Sequence, residues 1–270
     1  DELPQSILFY RQLLQWLGGM GIIVLAVALL PMLGIGGMQL YRAESPGPVK
    51  DNKLVPRLAE TAKSLWLLYL SLTVVCMLAY WAAGMSMFDA ISHSFSTVAI
   101  GGFSTHDASI AYFDSPLIEF IAVFFMIVAG INFALHFLAL QKRQLKHYLK
   151  DPEFQFYAFI LGSVSLITVV VLAADGTYGS LFEALRRGLF QVVSFATTTG
   201  YATADVNSWP LFLPYVLLYA AIIGACAGST GGGMKVIRIL LIFKQGFREV
   251  QRLIHPRAII PIKLGTKVMS

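Results

Sequence analysis

The sequence predicts an all-α membrane protein made of repeated helix–re-entrant pore loop–helix units around a central pore, and three observations carry that prediction. The first is composition: 57% of the 270 residues are apolar and 13% are charged, against roughly 25% charged in a soluble domain. The mean hydropathy is +0.69. The second is that the apolar residues fall in runs long enough to cross a hydrocarbon layer of about 30 Å, which takes roughly 20 helical residues. The third is that two long connections between these runs are apolar and duplicate one another.

Five segments have spanning length: Trp16 to Leu33 (helical from Ile7), Leu65 to Ala83, Ile118 to Leu140, Phe154 to Ala173, and Leu211 to Phe243. The last exceeds one span and is interrupted at Gly224, Gly228, Gly231, Gly232 and Gly233. Arg42, Lys50, Lys53, Arg57 and Lys63 lie between spans one and two, and Lys142, Arg143, Lys146 and Lys150 between spans three and four. Eight more cations, from Lys235 to Lys267, run from the tail of the fifth onwards. If spans alternate in direction, all of these share one side, which the positive-inside rule makes cytoplasmic. The other side keeps Asp89, Asp107, Asp114, Asp175, Glu183 and Asp205, with Arg186 and Arg187 as its loop cations. The net charge of +5 thus describes topology and gives no reason for a nucleic-acid partner. Cys76 and Cys226 lie inside apolar runs and read as small core residues rather than a disulfide. The chain opens on Asp1-Glu2-Leu3-Pro4, which reads as a start within a longer protein.

The outer connections Ala82 to Pro116 and Ala174 to Pro210 each contain a half-length apolar helix, Phe88 to Val98 and Leu181 to Ala196. Segments of that length read as re-entrant; two amphipathic helices on the outer surface are the other reading. The hairpins match one another. Phe88-Asp89-Ala90 corresponds to Phe182-Glu183-Ala184, and Gly102-Phe103-Ser104-Thr105-His106-Asp107 to Gly200-Tyr201-Ala202-Thr203-Ala204-Asp205. Internal repeats of a membrane unit mark a path on a pseudo-symmetry axis.

Dehydrating a potassium ion requires oxygens in place of its water shell, and backbone carbonyls supply them without charge. Ala99-Ile100-Gly101-Gly102 and Thr197-Thr198-Thr199-Gly200 have a suitable make-up, with the ion held at Ile100, Gly101, Thr198 and Thr199. The threonine hydroxyls can add an oxygen or brace the turn from behind. The short helices aim their partly negative C-terminal ends at the same point. An ordinary glycine turn is the plain alternative for either tetrad alone. Gly224 to Met234, with five glycines in eleven residues, makes a poor helix at about 1 kcal/mol per glycine. Its Gly228 to Lys235 stretch is no phosphate loop, because Met234 separates Gly233 from Lys235 and Val236 stands where Ser or Thr should hold magnesium. Lys235 and Arg238 anchor this segment's cytoplasmic end or snorkel to the interface. His136 shares a face with Asn132 on span three, and no two histidines have metal-ligand spacing. His93, Ser94 and Ser96 lack an orienting acid for hydrolysis and read as packing, so no enzyme is indicated.

Arg11-Gln12-Leu13-Leu14-Gln15-Trp16-Leu17-Gly18-Gly19-Met20-Gly21, the two hairpins, and Gly228-Ser229-Thr230-Gly231-Gly232-Gly233-Met234-Lys235 together resemble the Trk/Ktr/HKT potassium transporters. The resemblance covers essentially the whole chain. It implies a multi-pass protein of the bacterial inner membrane with four helix–hairpin–helix repeats and one filter glycine per repeat, Gly102 and Gly200 matching the second and third. The chain then divides into the last helix of repeat one (1–41), a cytoplasmic linker (42–63), repeat two (64–141), a second linker (142–153), repeat three (154–245) and a cytoplasmic lead-in (246–270). In the family the counterpart of 224–234 is an intramembrane gate loop beneath the filter, here with Gly224, Gly228, Ser229, Thr230, Gly231, Gly232 and Gly233. The implied function is potassium uptake through a carbonyl-lined, loop-gated filter, with potassium as substrate and no cofactor in this chain. A proton- or sodium-coupled symporter is the alternative; spans two, four and five lack the membrane-centre carboxylate it would need, and span three has only Glu119 near its outer end. The implied partners are the lipid bilayer, a second copy in a homodimer, and a cytosolic ring of nucleotide-binding (TrkA-like) regulatory subunits. Pro46-Gly47-Pro48 and Pro256 to Pro261 read as cytoplasmic connectors suited to docking.

Overall fold

The computed structural model describes residues 3–24, 58–255, 261–264 and 267–269. Span one beyond Val24, the connector at Pro46-Gly47-Pro48 and residues 256–260 lie outside them. The helices in chain order are α1 Gln5–Val24, α2 Leu58–Ala82, α3 Met87–Ala99, α4 Pro116–Ala129, α5 Phe133–Lys142, α6 Lys146–Lys150, α7 Pro152–Asp175, α8 Leu181–Ala196, α9 Phe212–Ile223 and α10 Val236–Ile254. Two short strands, β1 Ile262–Leu264 and β2 Lys267–Met269, pair antiparallel.

α2 and α7 are long and apolar enough to cross a membrane. Each is apolar all round but buries one stripe, as a bundle helix in lipid does. On α2 the stripe is Leu65, Tyr69, Thr73, Cys76 and Tyr80, at spacings of three and four, while Trp66, Val75, Leu78 and Trp81 stay exposed. α7 opens on an Asp151 cap, whose Oδ1 accepts the Phe154 N–H at 2.8 Å, with Pro152 at the first helical position. Both choices suit a helix start.

Span three departs from the sequence reading of one continuous helix. It breaks after Ala129, and α4 and α5 meet at 91°. Asn132, read on the face of His136, caps α5 instead: its Oδ1 accepts the Ala134 N–H at 2.9 Å. A break at this depth needs its freed backbone groups paired by protein, and the glycine-rich segment supplies the partners. The Cys226 N–H donates to Gly130 O at 3.0 Å, and the Phe133 N–H donates to Gly228 O at 2.9 Å. Gly130 is required here because an added Cβ would lie 2.4 Å from the Tyr157 hydroxyl. Cys76 and Cys226 are buried and unbridged.

α3 and α8 are the half-length helices. α3 lies between α1 and α2, and α8 packs on α7, α4 and α9. Gly188 makes the α8–α7 approach close: a Cβ there would sit 3.2 Å from a Val169 methyl.

Candidate functional site

The two hairpins are built alike. Each short helix starts with a serine cap: Ser86 Oγ accepts the Asp89 N–H at 3.1 Å, and Ser180 Oγ accepts the Glu183 N–H at 3.2 Å. Serine followed three residues later by an acid is a capping-box spacing. Each helix then ends in a left-handed residue, Ile100 (φ 56°) and Thr198 (φ 65°), followed by a left-handed glycine, Gly102 (φ 74°) and Gly200 (φ 88°). A β-branched residue in this region stores strain of about 1–3 kcal/mol, which persists where the surroundings enforce it and clusters at functional sites. Here backbone bonds enforce it: Gly101 N–H to Ser96 O at 2.8 Å, and Thr199 N–H to Ser194 O at 2.8 Å.

Among the described residues no hydrogen-bond donor reaches the carbonyl oxygens of Ile100, Gly101, Thr198 or Thr199. Behind them the side chains are fully engaged. Thr197 Oγ1 donates to Val193 O at 2.7 Å and lies 2.7 Å from Thr199 Oγ1. The Thr97 hydroxyl lies 2.9 Å from the Tyr80 hydroxyl and 3.3 Å from that of Tyr201. Of the two roles open to the threonine hydroxyls, the structure favours bracing. The hairpins also touch: a Cβ on Gly102 would lie 1.8 Å from Thr199 O, so only glycine permits this approach. Gly102 and Gly200 line a cavity of about 620 Å³ together with Arg11, Phe103, Ser104 and Asp107.

The sequence reading missed the wall behind the first hairpin, which α1 provides. Gln15 accepts the Ser96 hydroxyl at 2.9 Å and crowds Gly101 so closely that a Cβ there would lie 2.0 Å from its Oε1. Gln12 donates to Phe103 O at 2.9 Å, and Arg11 donates to Ser104 O while lying over the Phe103 ring. Inside α3, His93 Nδ1–H donates to Asp89 O at 2.8 Å, which leaves Nε2 to accept the Ser104 hydroxyl at 2.9 Å. His93 is thereby a brace of the return strand.

The glycine-rich segment 224–235 is non-helical and folds beneath the two turns. Thr230 Oγ1 donates to Val98 O at 3.0 Å, and the Gly232 N–H donates to Thr198 Oγ1 at 2.7 Å. Gly224, Gly228 and Gly233 all have positive φ, and Gly231 packs so that a Cβ would be 2.9 Å from Thr197 O. Ser229 Oγ donates to Cys226 O at 2.6 Å and holds the turn. Lys235 turns back into the loop, its ammonium donating to Gly231 O, rather than out to the interface. Arg238 is exposed on the first turn of α10.

Two further charged groups carry positions that sequence spacing did not reveal. Glu119 is buried and receives Arg186 Nε at 2.8 Å and Arg187 Nη1 at 3.1 Å. Arg186 also bonds Asp114 at 3.0 Å and Glu183 at 3.1 Å. These hydrogen bonds, with the nearby guanidinium charges, hold the Asp114 carboxyl below its ordinary range. Glu153 lies one residue before the span that looked free of carboxylates, is buried, and its Oε1 accepts the Ala227 N–H at 2.5 Å.

A family model described as TrkH, cation transport protein, matches residues 1–269. The Trk system potassium uptake protein TrkH of Salmonella typhimurium is 61% identical over 269 residues, covering 100% of this chain and 56% of the relative. The Escherichia coli K12 protein of the same name is 60% identical over 269 residues, again covering 100% and 56%. The Escherichia coli K12 TrkG protein is 42% identical over 270 residues, also covering 100% and 56%. The crystal structure of the potassium transporter TrkH from Vibrio parahaemolyticus superposes with a TM-score of 0.88 at 55% identity, covering 100% of this chain and 55% of that one. The chain spans about half the length of the curated relatives it matches.

Proposed function

The chain belongs to the TrkH family of cation transport proteins, and from that premise we propose that it forms two of the four sectors of a potassium-conducting pore in the inner membrane. The observation that carries this reading is the pair of duplicated turns, offset by one repeat, whose Ile100, Gly101, Thr198 and Thr199 carbonyls accept no hydrogen bond among the described residues. Neutral oxygens held in a strained, braced backbone can replace the hydration shell of a potassium ion. The helix C-termini behind them add a negative partial charge. Ala99 ends α3 and Thr197 caps α8, Gly102 and Gly200 permit the turns, and Gly102 permits the close approach of the hairpins.

In this reading residues 64–141 and 154–245 are repeats two and three, and residues 1–41 end repeat one. The linkers are 42–63 and 142–153, and 246–270 leads towards a fourth repeat. The loop 224–234 closes the path beneath the filter: its Thr230 and Gly232 bond to the ends of both filter turns. The cytosolic ring of nucleotide-binding subunits and a homodimer partner belong to the same proposal, and the Trk-system names of the relatives support only that other Trk components take part.

The test is potassium and rubidium flux into liposomes holding the full-length protein, wild type against a deletion of Gly228 to Gly233. Passive flux is expected to rise severalfold, with little dependence on pH or sodium. Flux that falls, or that stays tied to a proton or sodium gradient, would replace the gate with a coupled symporter.

A further inference from the structure

We propose that Glu153 is the cytoplasmic-side latch of the loop 224–234, holding it shut by accepting the Ala227 N–H, and that linker segment 146–153 transmits load to this latch. The inference rests on the gate reading above and assigns the contact that controls it.

Glu153 lies on the first turn of α7, where the Asp151 cap and Pro152 define the backbone, and its side chain is buried. A bond from a backbone N–H to a buried carboxylate is charge-assisted and about twice as strong as a neutral one. The loop's bonds to its surroundings through Thr230, Gly232, Cys226 and Gly228 are all between neutral groups. Among these restraints the Glu153 bond is the one made to an ionisable side chain, and it comes from the cytoplasmic end.

The same segment also grips the seat of the loop. Tyr148 on α6 packs against Phe154, ring centroids 5.5 Å apart. Its hydroxyl lies 2.7 Å from His136 Nδ1, and His136 Nε2–H donates to Val128 O at 2.9 Å. Since Val128 O can only accept, the neutral His136 carries its proton on Nε2, and its Nδ1 accepts a hydrogen bond from the Tyr148 hydroxyl. Val128 precedes the break in span three, where Ala129 O, Gly130 O and the Phe133 N–H receive the loop. Eight residues between the repeats thus reach both the loop, through Glu153, and its seat, through Tyr148 and His136. A displacement of this segment frees Ala227 and loosens the seat together, which makes it the place where a cytosolic load opens the path.

Cys226, buried and next to Ala227, is a built-in reporter. In the full-length protein with Cys226 as the sole cysteine, reconstituted in liposomes, its modification by a small cationic methanethiosulfonate applied from the cytoplasmic side reads loop release. Glu153→Ala is expected to raise that rate by about tenfold, with rubidium flux rising alongside. Glu153→Gln keeps an acceptor oxygen without the charge and should fall between wild type and alanine. If the alanine protein fails to assemble, the glutamine variant carries the test and must raise Cys226 reactivity severalfold. Unchanged reactivity and flux, with the Gly228 to Gly233 deletion still raising flux, overturns the latch and leaves the gate standing. If the deletion also fails to raise flux, both fall.

Discussion

Replacing Gly102 by alanine is expected to abolish rubidium uptake, with a loss of at least about 100-fold, equivalent to ~3 kcal/mol on the barrier. The new Cβ would sit 1.8 Å from Thr199 O and 2.7 Å from the Thr199 carbonyl carbon. Both atoms are backbone, so no side chain can swing away, and the residue also carries a φ of 74°. The third-repeat turn must therefore move, taking with it the carbonyls of Thr198 and Thr199. Gly200→Ala is the matched comparison. Its φ is 88°, but nothing lies within 4 Å of the added Cβ. That variant meets only the left-handed strain of about 1–2 kcal/mol and should lose roughly tenfold. Flux and the potassium-to-sodium permeability ratio, measured on both, separate contact from strain. Equal losses would remove the hairpin contact from the explanation.

Arg186→Ala should be the most destabilising single change in the outer half, by about 3–5 kcal/mol, because it breaks a buried ion pair and strands one partner. Glu119 is 1% exposed and would keep only Arg187, itself partly accessible. The loss should appear as a large fall in the thermal midpoint of the detergent-solubilised protein. Arg187→Ala leaves the two-bond Arg186–Glu119 contact intact and should cost about 1 kcal/mol, as a partly exposed pair does. Replacing both partners, Arg186→Met with Glu119→Leu, removes the stranded charge and should recover much of the stability. A double variant no better than Arg186→Ala would show that the cost lies in packing rather than in an uncompensated carboxylate. The network ties α8 to α4, so the two hairpins are referenced to one another at their outer ends too.

The architecture was legible because a bilayer imposes one-dimensional rules. Apolar length, cation placement and glycine content can be read position by position. The half-length helix Leu181 to Ala196 matches α8 at both ends, and Phe88 to Val98 falls one residue short of α3 at each end. The 98-residue offset between Gly102 and Gly200 reappears as paired left-handed turns preceded by a left-handed Ile100 and Thr198. Their composition pointed to carbonyl oxygens. The strain on two β-branched residues did not show, because a backbone angle imposed by distant bonds leaves no mark on residue type.

What spacing could not convey was which segment completes which. Span three looked like a continuous apolar helix, and on hydropathy it is one. It bends by 91° because a loop about a hundred residues later supplies the donor and acceptor that its opened backbone lacks. Lys235, readable from spacing either as an anchor of the loop's cytoplasmic end or as an interfacial cation, donates its ammonium to the Gly231 carbonyl within the same loop. Glu119 and Glu153 look like flanking charges and are buried, each held by partners more than sixty residues away. Composition and spacing alone carry the class of protein, the two half-length helices and the glycine positions, since each follows from local chemistry and the dimensions of the membrane. The close approach of Gly102 to Thr199, the seat of segment 224–235 and the burial of the two carboxylates come from the packing of the helices, which sets hydrogen bonds between remote segments.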